Sequence, residues 1–265
     1  MSSDQPIGMF DSGVGGLSVL AEVRALRPTE SIIYYADNAY CPYGIRPPDE
    51  IRQRTESIAG MLIGQGAKAI VVACNTASAV AIDSVRAAYP QVPIVGLEPA
   101  VKPAVAMTRT KSIGVLATPR TVAGERLRWL IEMHGGDVRV HTVAAAGLVE
   151  LVEAGVLHGE PVREALVPLL DPMLEADVDV VVLGCTHYPF LREAIEAYVG
   201  PEVRVIDSGK AIARRTQSVL DVAGLLTSRY EPGTWAMETS GDVSVVEPVA
   251  RMLTGEAVTV THREP

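Results

Sequence analysis

The sequence predicts an α/β protein made of two pseudo-symmetric, mostly parallel-sheet domains with a cleft between them. Three observations carry that expectation. Short Val/Ile-rich runs alternate with longer stretches at helical spacing, the signature of βα units. The apolar content is mostly Val, Ala, Leu and Ile, with aromatics at only 5%, which suits buried parallel strands beneath Ala-rich helices. The series of strands also repeats once along the 265 residues.

In chain order, the first series of strands is expected at Ile7–Phe10, Ile32–Ala36, Ala69–Ala73 and Pro93–Leu97. The second follows at Ile113–Ala117, Val138–Val143, Val178–Leu183 and Val203–Ile206. Each is closed by Gly, Pro or polar turn residues. The starts of matching strands differ by 106, 106, 109 and 110 residues, an offset constant enough to indicate duplication. Local detail repeats with it. Ile7-Gly8-Met9-Phe10-Asp11-Ser12 matches Ile113-Gly114-Val115-Leu116-Ala117-Thr118, and Val71-Val72-Ala73-Cys74-Asn75-Thr76 resembles Val182-Leu183-Gly184-Cys185-Thr186-His187. A helix begins near Leu17, and Pro47-Pro48 and Pro99…Pro103 read as turns. The tail is expected to form a helix at Ala211–Leu226, a strand near Thr234–Glu238, a helix at Val243–Leu253 and a last strand at Val258–Thr261. Packed back on the first half, this tail gives one domain of residues 1–98 plus 208–265 and a second of 99–207.

A formal net charge of -9 argues against nonspecific nucleic-acid binding, which needs a basic surface. The N-terminal residues lack a basic stretch followed by an apolar run, and no apolar run approaches the roughly 18 residues of a membrane span. A cytoplasmic protein is therefore expected. Three cysteines cannot make a disulfide framework at this length, so the thiols call for another explanation.

Cys74 and Cys185 stand at equivalent strand ends of the two halves. An intracellular cysteine is ordinarily a small buried hydrophobe, but two at matching places, each before hydrogen-bonding side chains, favour chemistry. In open parallel sheets, ligand-bearing groups gather at the carboxyl ends of strands, so duplication offers one crevice with two similar walls. His187, two residues after Cys185, is placed to exchange a proton with that thiol. Zinc is disfavoured, because no C-x-x-C or H-x-x-x-H spacing occurs and the third thiol, Cys41, lies in a Pro-flanked turn. Cys41 reads as a bystander.

The turn Asp11-Ser12-Gly13-Val14-Gly15-Gly16 offers backbone N–H groups to a small carboxylate. A dinucleotide fingerprint would need glycine at Ser18, and a phosphate loop would need a lysine, so nucleotide readings are weak. Asp11 also suits a turn or cap. Pro42-Tyr43-Gly44, between Asp37 and Arg46, is either an ordinary turn or a second carboxylate contact. Glu153 ordinarily reads as a solvated helix charge. Two thiols flanking the α-carbon of a small acid can invert it, one removing the α-proton while the other delivers a proton to the opposite face. A Cys185–His187 thiol hydrolase and a non-enzymatic binding protein are the competing readings, and the hydrolase needs only one cysteine.

The chain resembles the glutamate racemases of bacterial cell-wall synthesis, in the cofactor-independent aspartate/glutamate racemase superfamily. The motifs that carry the resemblance are Phe10-Asp11-Ser12-Gly13-x-Gly15-Gly16, Pro42-Tyr43-Gly44, Ala73-Cys74-Asn75-Thr76, Ala117-Thr118-Pro119-x-Thr121, Val152-Glu153-x-Gly155 and Gly184-Cys185-Thr186-His187-Tyr188-Pro189. The resemblance implies interconversion of L- and D-glutamate without cofactor or metal, supplying D-glutamate for peptidoglycan. It implies that Cys74 acts on the D-isomer and Cys185 on the L-isomer, with Asp11, His187 and Glu153 assisting. Asp11-Ser12, Pro42-Tyr43-Gly44, Asn75-Thr76, Thr118, Thr121 and Thr186-His187 would contact substrate. An aspartate racemase is the nearest rival, since two thiols do not measure side-chain length. A homodimer and a restraint on DNA gyrase are implied by the family alone.

Overall fold

The computed structural model describes residues 2–265. Its first strands are β1 (Ile7–Asp11), β2 (Ile32–Ala36), β3 (Ala69–Val72) and β4 (Ile94–Gly96). A second set follows, β5 (Ser112–Ala117), β6 (Arg139–Ala144), β7 (Val180–Leu183) and β8 (Arg204–Ile206), and then β9 (Trp235–Thr239) and β10 (Val260–His262). They form a six-stranded sheet in the order β10-β9-β2-β1-β3-β4 and a four-stranded sheet in the order β6-β5-β7-β8. Every pairing is parallel. The order β2-β1-β3-β4 is repeated as β6-β5-β7-β8, so the duplication read from strand offsets is a duplication of topology.

The helices are α1 (Leu17–Leu26), α2 (Pro48–Gly64), α3 (Asn75–Ala88), α4 (Val101–Met107), α5 (Pro119–Ala123) and α6 (Glu125–His134). They continue as α7 (Leu148–Glu153), α8 (Glu160–Glu175), α9 (Arg192–Val199), α10 (Gly209–Val222) and α11 (Val243–Thr254). With helices on both faces, the central strands β1, β3, β5 and β7 are buried at every residue, which explains their unbroken apolar runs. Ile7, Ile70, Val71 and Val181 are fully buried, each contributing roughly 1.5–3 kcal/mol of burial free energy. The edge strand β6 is partly or wholly exposed along its length, and its mixed composition reflects that.

Most expected elements occur within one or two residues of their predicted limits. Two stretches read as turns differ in kind: Pro48 opens α2 and Pro103 lies in the first turn of α4, where a proline without an N–H is tolerated. Among the predicted limits the largest difference is α10, expected at Ala211–Leu226 and found at Gly209–Val222. Gly224 adopts a left-handed φ of 64°, and the Leu225 N–H bonds back to the Leu220 carbonyl at 2.8 Å, which ends the helix before Leu225 and Leu226. The tail returns to the first sheet: β9 pairs with β2, β10 pairs with β9, and α10 packs on α1.

Candidate active site

The carboxyl ends of both sheets meet in one enclosed pocket. Asp11 is the last residue of β1, Cys74 lies two residues past β3, Thr118 one past β5, and Cys185 two past β7. Both thiols line this pocket, together with Ser12, Pro42, Tyr43, Gly44, Asn75, Thr76, Thr186 and His187. Of the residues expected there, Thr121 is not on the wall; it stands behind Thr118 and hydrogen-bonds its hydroxyl at 3.0 Å. The pocket is narrow, with about 10 Å³ of free space, room for roughly one water molecule. Contacts between the two sheets hold them together. The Thr186 hydroxyl donates to Asp11 Oδ2 at 2.9 Å, the Ser18 hydroxyl donates to the Thr186 carbonyl at 2.8 Å, and the Thr76 and Thr118 hydroxyls lie 2.9 Å apart.

Each thiol has its own environment. Cys74 caps α3, its Sγ accepting the Ala77 N–H at 3.4 Å, and Ser12 Oγ lies 4.0 Å away. Burial, and then the nearby Asp11 charge, push the Cys74 thiol well above its usual range. Asp11 itself is raised, because burial outweighs the His187 charge and the hydrogen bonds it receives. On the other wall, His187 Nδ1 lies 3.7 Å from Cys185 Sγ, while Nε2 meets Glu153 Oε1 at 2.6 Å. Burial alone would lower the His187 pKa, but its contacts with Cys185, Cys41 and Glu153 hold it well above the ordinary value. Burial likewise opposes ionisation of Glu153, and the His187 hydrogen bond and charge reverse that and keep the carboxyl low. The pocket thus pairs a protonated thiol beside a carboxyl group with a thiol beside an imidazolium.

Two ordinary readings of the sequence give way here. Glu153 is no solvated helix charge: its carboxylate accepts the Val14 N–H at 2.8 Å, Asn38 Nδ2 at 2.6 Å and the His187 bond, joining the two halves. The Gly-rich turn therefore spends its Val14 N–H on an internal carboxylate, and the Ser12 N–H donates to Asp11 Oδ1 at 2.6 Å. Cys41, read as a bystander, stands against this group with Sγ 3.5 Å from Glu153 Oε1. Burial pushes its thiol up to about 12, which keeps it from competing as a free nucleophile.

Sequence reasoning left several supports unassigned. Asn38 holds Glu153, and only its place one residue after Asp37 hinted at the site. Arg54 grips Asp37 with two bonds at 2.6 and 3.0 Å, and Asp37 accepts the Tyr43 hydroxyl at 2.5 Å. Arg54 comes from α2, where a helix arginine gives no signal of this role. Gly15 admits the His187 ring, since a Cβ there would lie 2.2 Å from Nδ1. Asn75 Oδ1, buried on the pocket wall, has no hydrogen-bond partner among the described residues.

The profile of the Asp/Glu/Hydantoin racemase family matches residues 17–216, three quarters of the chain. The chain belongs to that family. It is an enzyme of the racemase class, and its relatives agree along nearly the whole length. It is 52% identical over 239 residues to a glutamate racemase of Herpetosiphon aurantiacus, a match covering 90% of this chain and 94% of that protein. A Francisella tularensis glutamate racemase in complex with D-glutamate superimposes with a TM-score of 0.87 at 27% identity, covering 99% of this chain and 98% of the other. An Escherichia coli glutamate racemase in complex with L-glutamate and the activator UDP-MurNAc-ala gives 0.85 at 32% identity, with 97% of each chain covered. Among the described residues, no helix is long and apolar enough to cross a membrane.

Proposed function

We propose that this racemase interconverts L-glutamate and D-glutamate by two-base proton transfer at the α-carbon, with Cys74 and Cys185 as the bases and no cofactor. The observation that carries the reading is the pair of thiols, at equivalent strand ends, lining one pocket. The substrate assignment draws on the glutamate racemase of Herpetosiphon aurantiacus at 52% identity. The two glutamate complexes of related racemases, one with each enantiomer, fit a pocket that must accept mirror images.

In this mechanism the α-carbon sits between the sulfurs. Cys185, beside His187, takes the α-proton of L-glutamate, while the Cys74 thiol gives its proton to the opposite face. The reverse reaction uses the same groups in exchanged roles, with Asp11 assisting Cys74 and the His187–Glu153 pair assisting Cys185. The α-proton is a very weak acid, so preorganised donors in a dry pocket must stabilise the developing carbanion. Asp11, Ser12, Pro42, Tyr43, Gly44, Asn75, Thr76, Thr118, Thr186 and His187 would contact the substrate, with Thr121 supporting Thr118. The unpartnered Asn75 Oδ1 suits the substrate ammonium. In this account residues 1–98 with 208–265, and residues 99–207, act as the two half-domains that part to admit glutamate. The protein works in the cytoplasm, and its D-glutamate feeds peptidoglycan.

The test is direct. Purified protein with L-glutamate and no added cofactor should lose optical rotation completely, as an equal mixture of enantiomers forms. Turnover of L-aspartate but not L-glutamate would overturn the substrate assignment, and retained turnover after Cys74→Ser would favour one-cysteine chemistry.

A further inference from the structure

We infer that Cys41, Glu153 and His187 form a binding site for one soft divalent cation, Zn²⁺ above all, and that its occupancy arrests proton transfer at Cys185. A ligand atom from each of the three residues lies within 4.8 Å of the others. They come from three separate parts of the chain, so no sequence spacing announces them. A thiolate, an imidazole and a carboxylate make a donor set for zinc, whereas Mg²⁺ and Ca²⁺ prefer oxygen ligands throughout.

The geometry is close to what coordination requires. Zinc–sulfur bonds of about 2.3 Å and zinc–oxygen and zinc–nitrogen bonds of about 2.1 Å at tetrahedral angles set S···O at ~3.6 Å and N···O at ~3.4 Å. Cys41 Sγ and Glu153 Oε1 already stand 3.5 Å apart. His187 Nε2 and Glu153 Oε1, at 2.6 Å, need only open by roughly 0.8 Å. Access is available from a cleft that adjoins the substrate pocket and shares Pro42 and Val149 with it. A cleft of about 630 Å³, lined by Cys41 and Glu153 with Val14, Asn38, Val149 and Val245, gives an entry route and room for a water as fourth ligand. On binding, the Cys41 thiol proton and the Nε2 proton pass to the buffer, and the sulfur, nitrogen and carboxylate oxygen each donate a lone pair to the ion.

Occupancy has a chemical consequence on the far side of the imidazole ring. With the ion on Nε2, the His187 ring is anchored to Cys41 and Glu153, so the approach of its Nδ1 to Cys185 Sγ, 3.7 Å in the metal-free arrangement, is reset by the coordination geometry and the ring loses its working position beside that thiol. Opening the His187–Glu153 contact also draws Glu153 from the Val14 N–H and Asn38, the bonds that tie the Gly-rich turn to the opposite half. The inhibition rests on the racemase reading above; the binding does not.

Two measurements separate the parts. Co²⁺ serves as a spectroscopic probe, because a thiolate ligand gives it a near-ultraviolet charge-transfer band. Titration of the full chain should show that band at one equivalent. It should persist in the Cys74→Ser/Cys185→Ser double variant, which lacks both pocket thiols, and vanish in Cys41→Ser. Zn²⁺ should inhibit L-glutamate racemisation reversibly, with EDTA restoring it, and the concentration giving half-inhibition should rise at least about tenfold in Cys41→Ser, each protein being scored against its own metal-free rate. No thiolate band in the wild-type protein, or a band that survives Cys41→Ser and disappears from the double variant, would overturn the site. A Cys41-dependent band without inhibition would overturn its link to Cys185. Absence of racemisation in untreated protein would count against the proposed function and leave the Co²⁺ result to decide the site.

Discussion

Substitution of Gly15 by alanine tests how closely catalysis depends on the seat of His187. Gly15 is not among the glycines at positive φ, so the effect is one of space. The added Cβ would lie 2.2 Å from Nδ1, 2.5 Å from Cε1 and 2.7 Å from Cγ of the ring. Ordinary contacts begin near 3.5 Å, so the ring must retreat by roughly 1.3 Å. It has nowhere easy to go, being 1% exposed and held between Glu153 and Cys185. A misplacement of about 1 Å costs about 10²-fold in rate, or ~2.7 kcal/mol of barrier, and the overpacking costs about 1–3 kcal/mol of stability. The assay is kcat/KM by circular dichroism in both directions, with thermal denaturation to confirm folding. The enantiomers have equal free energy, so kcat/KM must fall by the same factor each way. The α-deuterium isotope effect should rise for L-glutamate and shrink for D-glutamate, because only the Cys185 step slows. Gly64→Ala is the control, because among the described residues nothing beyond its own helix backbone lies within 4 Å of the new Cβ. An unchanged kcat/KM in folded Gly15→Ala protein would refute the placement of His187 in the reaction.

Four further outcomes are expected. Cys74→Ala and Cys185→Ala should each lower racemisation about 10²–10⁴-fold, measured by the same assay, since each removes one proton-transfer group. Tyr43→Phe deletes the 2.5 Å bond to buried Asp37 and should cost about 1.5–3 kcal/mol in chemical denaturation. Thr118→Val removes the hydroxyl shared by Thr76 and Thr121, which keep only each other at 3.3 Å, and takes the acceptor from the buried Thr121 N–H, so it should cost about 1–3 kcal/mol by the same method. Glu153→Gln should lower Tm in a pH-dependent way. The lowered Glu153 pKa stabilises the fold above its ordinary 4.5 and is lost as pH falls through the folded value. The raised His187 pKa stabilises it below 6.5 and is lost as pH rises through the folded value. The Tm gap should therefore be widest between about pH 4.5 and 6.5, and a gap that grows in strong acid would contradict the pairing.

The strands were legible because both faces of β1, β3, β5 and β7 are buried, which forces unbroken apolar runs that stand out against the Ala-rich helices. Duplication made the thiol pair legible too, since equivalent strand ends in two copies of one topology point to one edge. Long-range polar contacts left no such trace. Glu153 sits in an ordinary helical segment, and its meeting with Val14, Asn38 and His187 depends on how the two sheets face each other. Arg54 and Cys41 were hidden for the same reason: a helix arginine and a Pro-flanked cysteine acquire meaning only from Asp37 and from the Glu153–His187 pair. Helix α10 was overextended because Leu225 and Leu226 keep the apolar pattern past the left-handed Gly224.

The central claim is that two different thiols serve the two faces of one α-carbon. Racemisation of L-glutamate in deuterated water, stopped early and analysed for α-deuterium in each separated enantiomer, tests it most directly. Two bases predict D-glutamate carrying solvent deuterium while the remaining L-glutamate stays almost unlabelled, because the proton taken by Cys185 is not the one returned by Cys74. Early and equal labelling of both enantiomers would mean that a single group serves both faces, and would contradict the account.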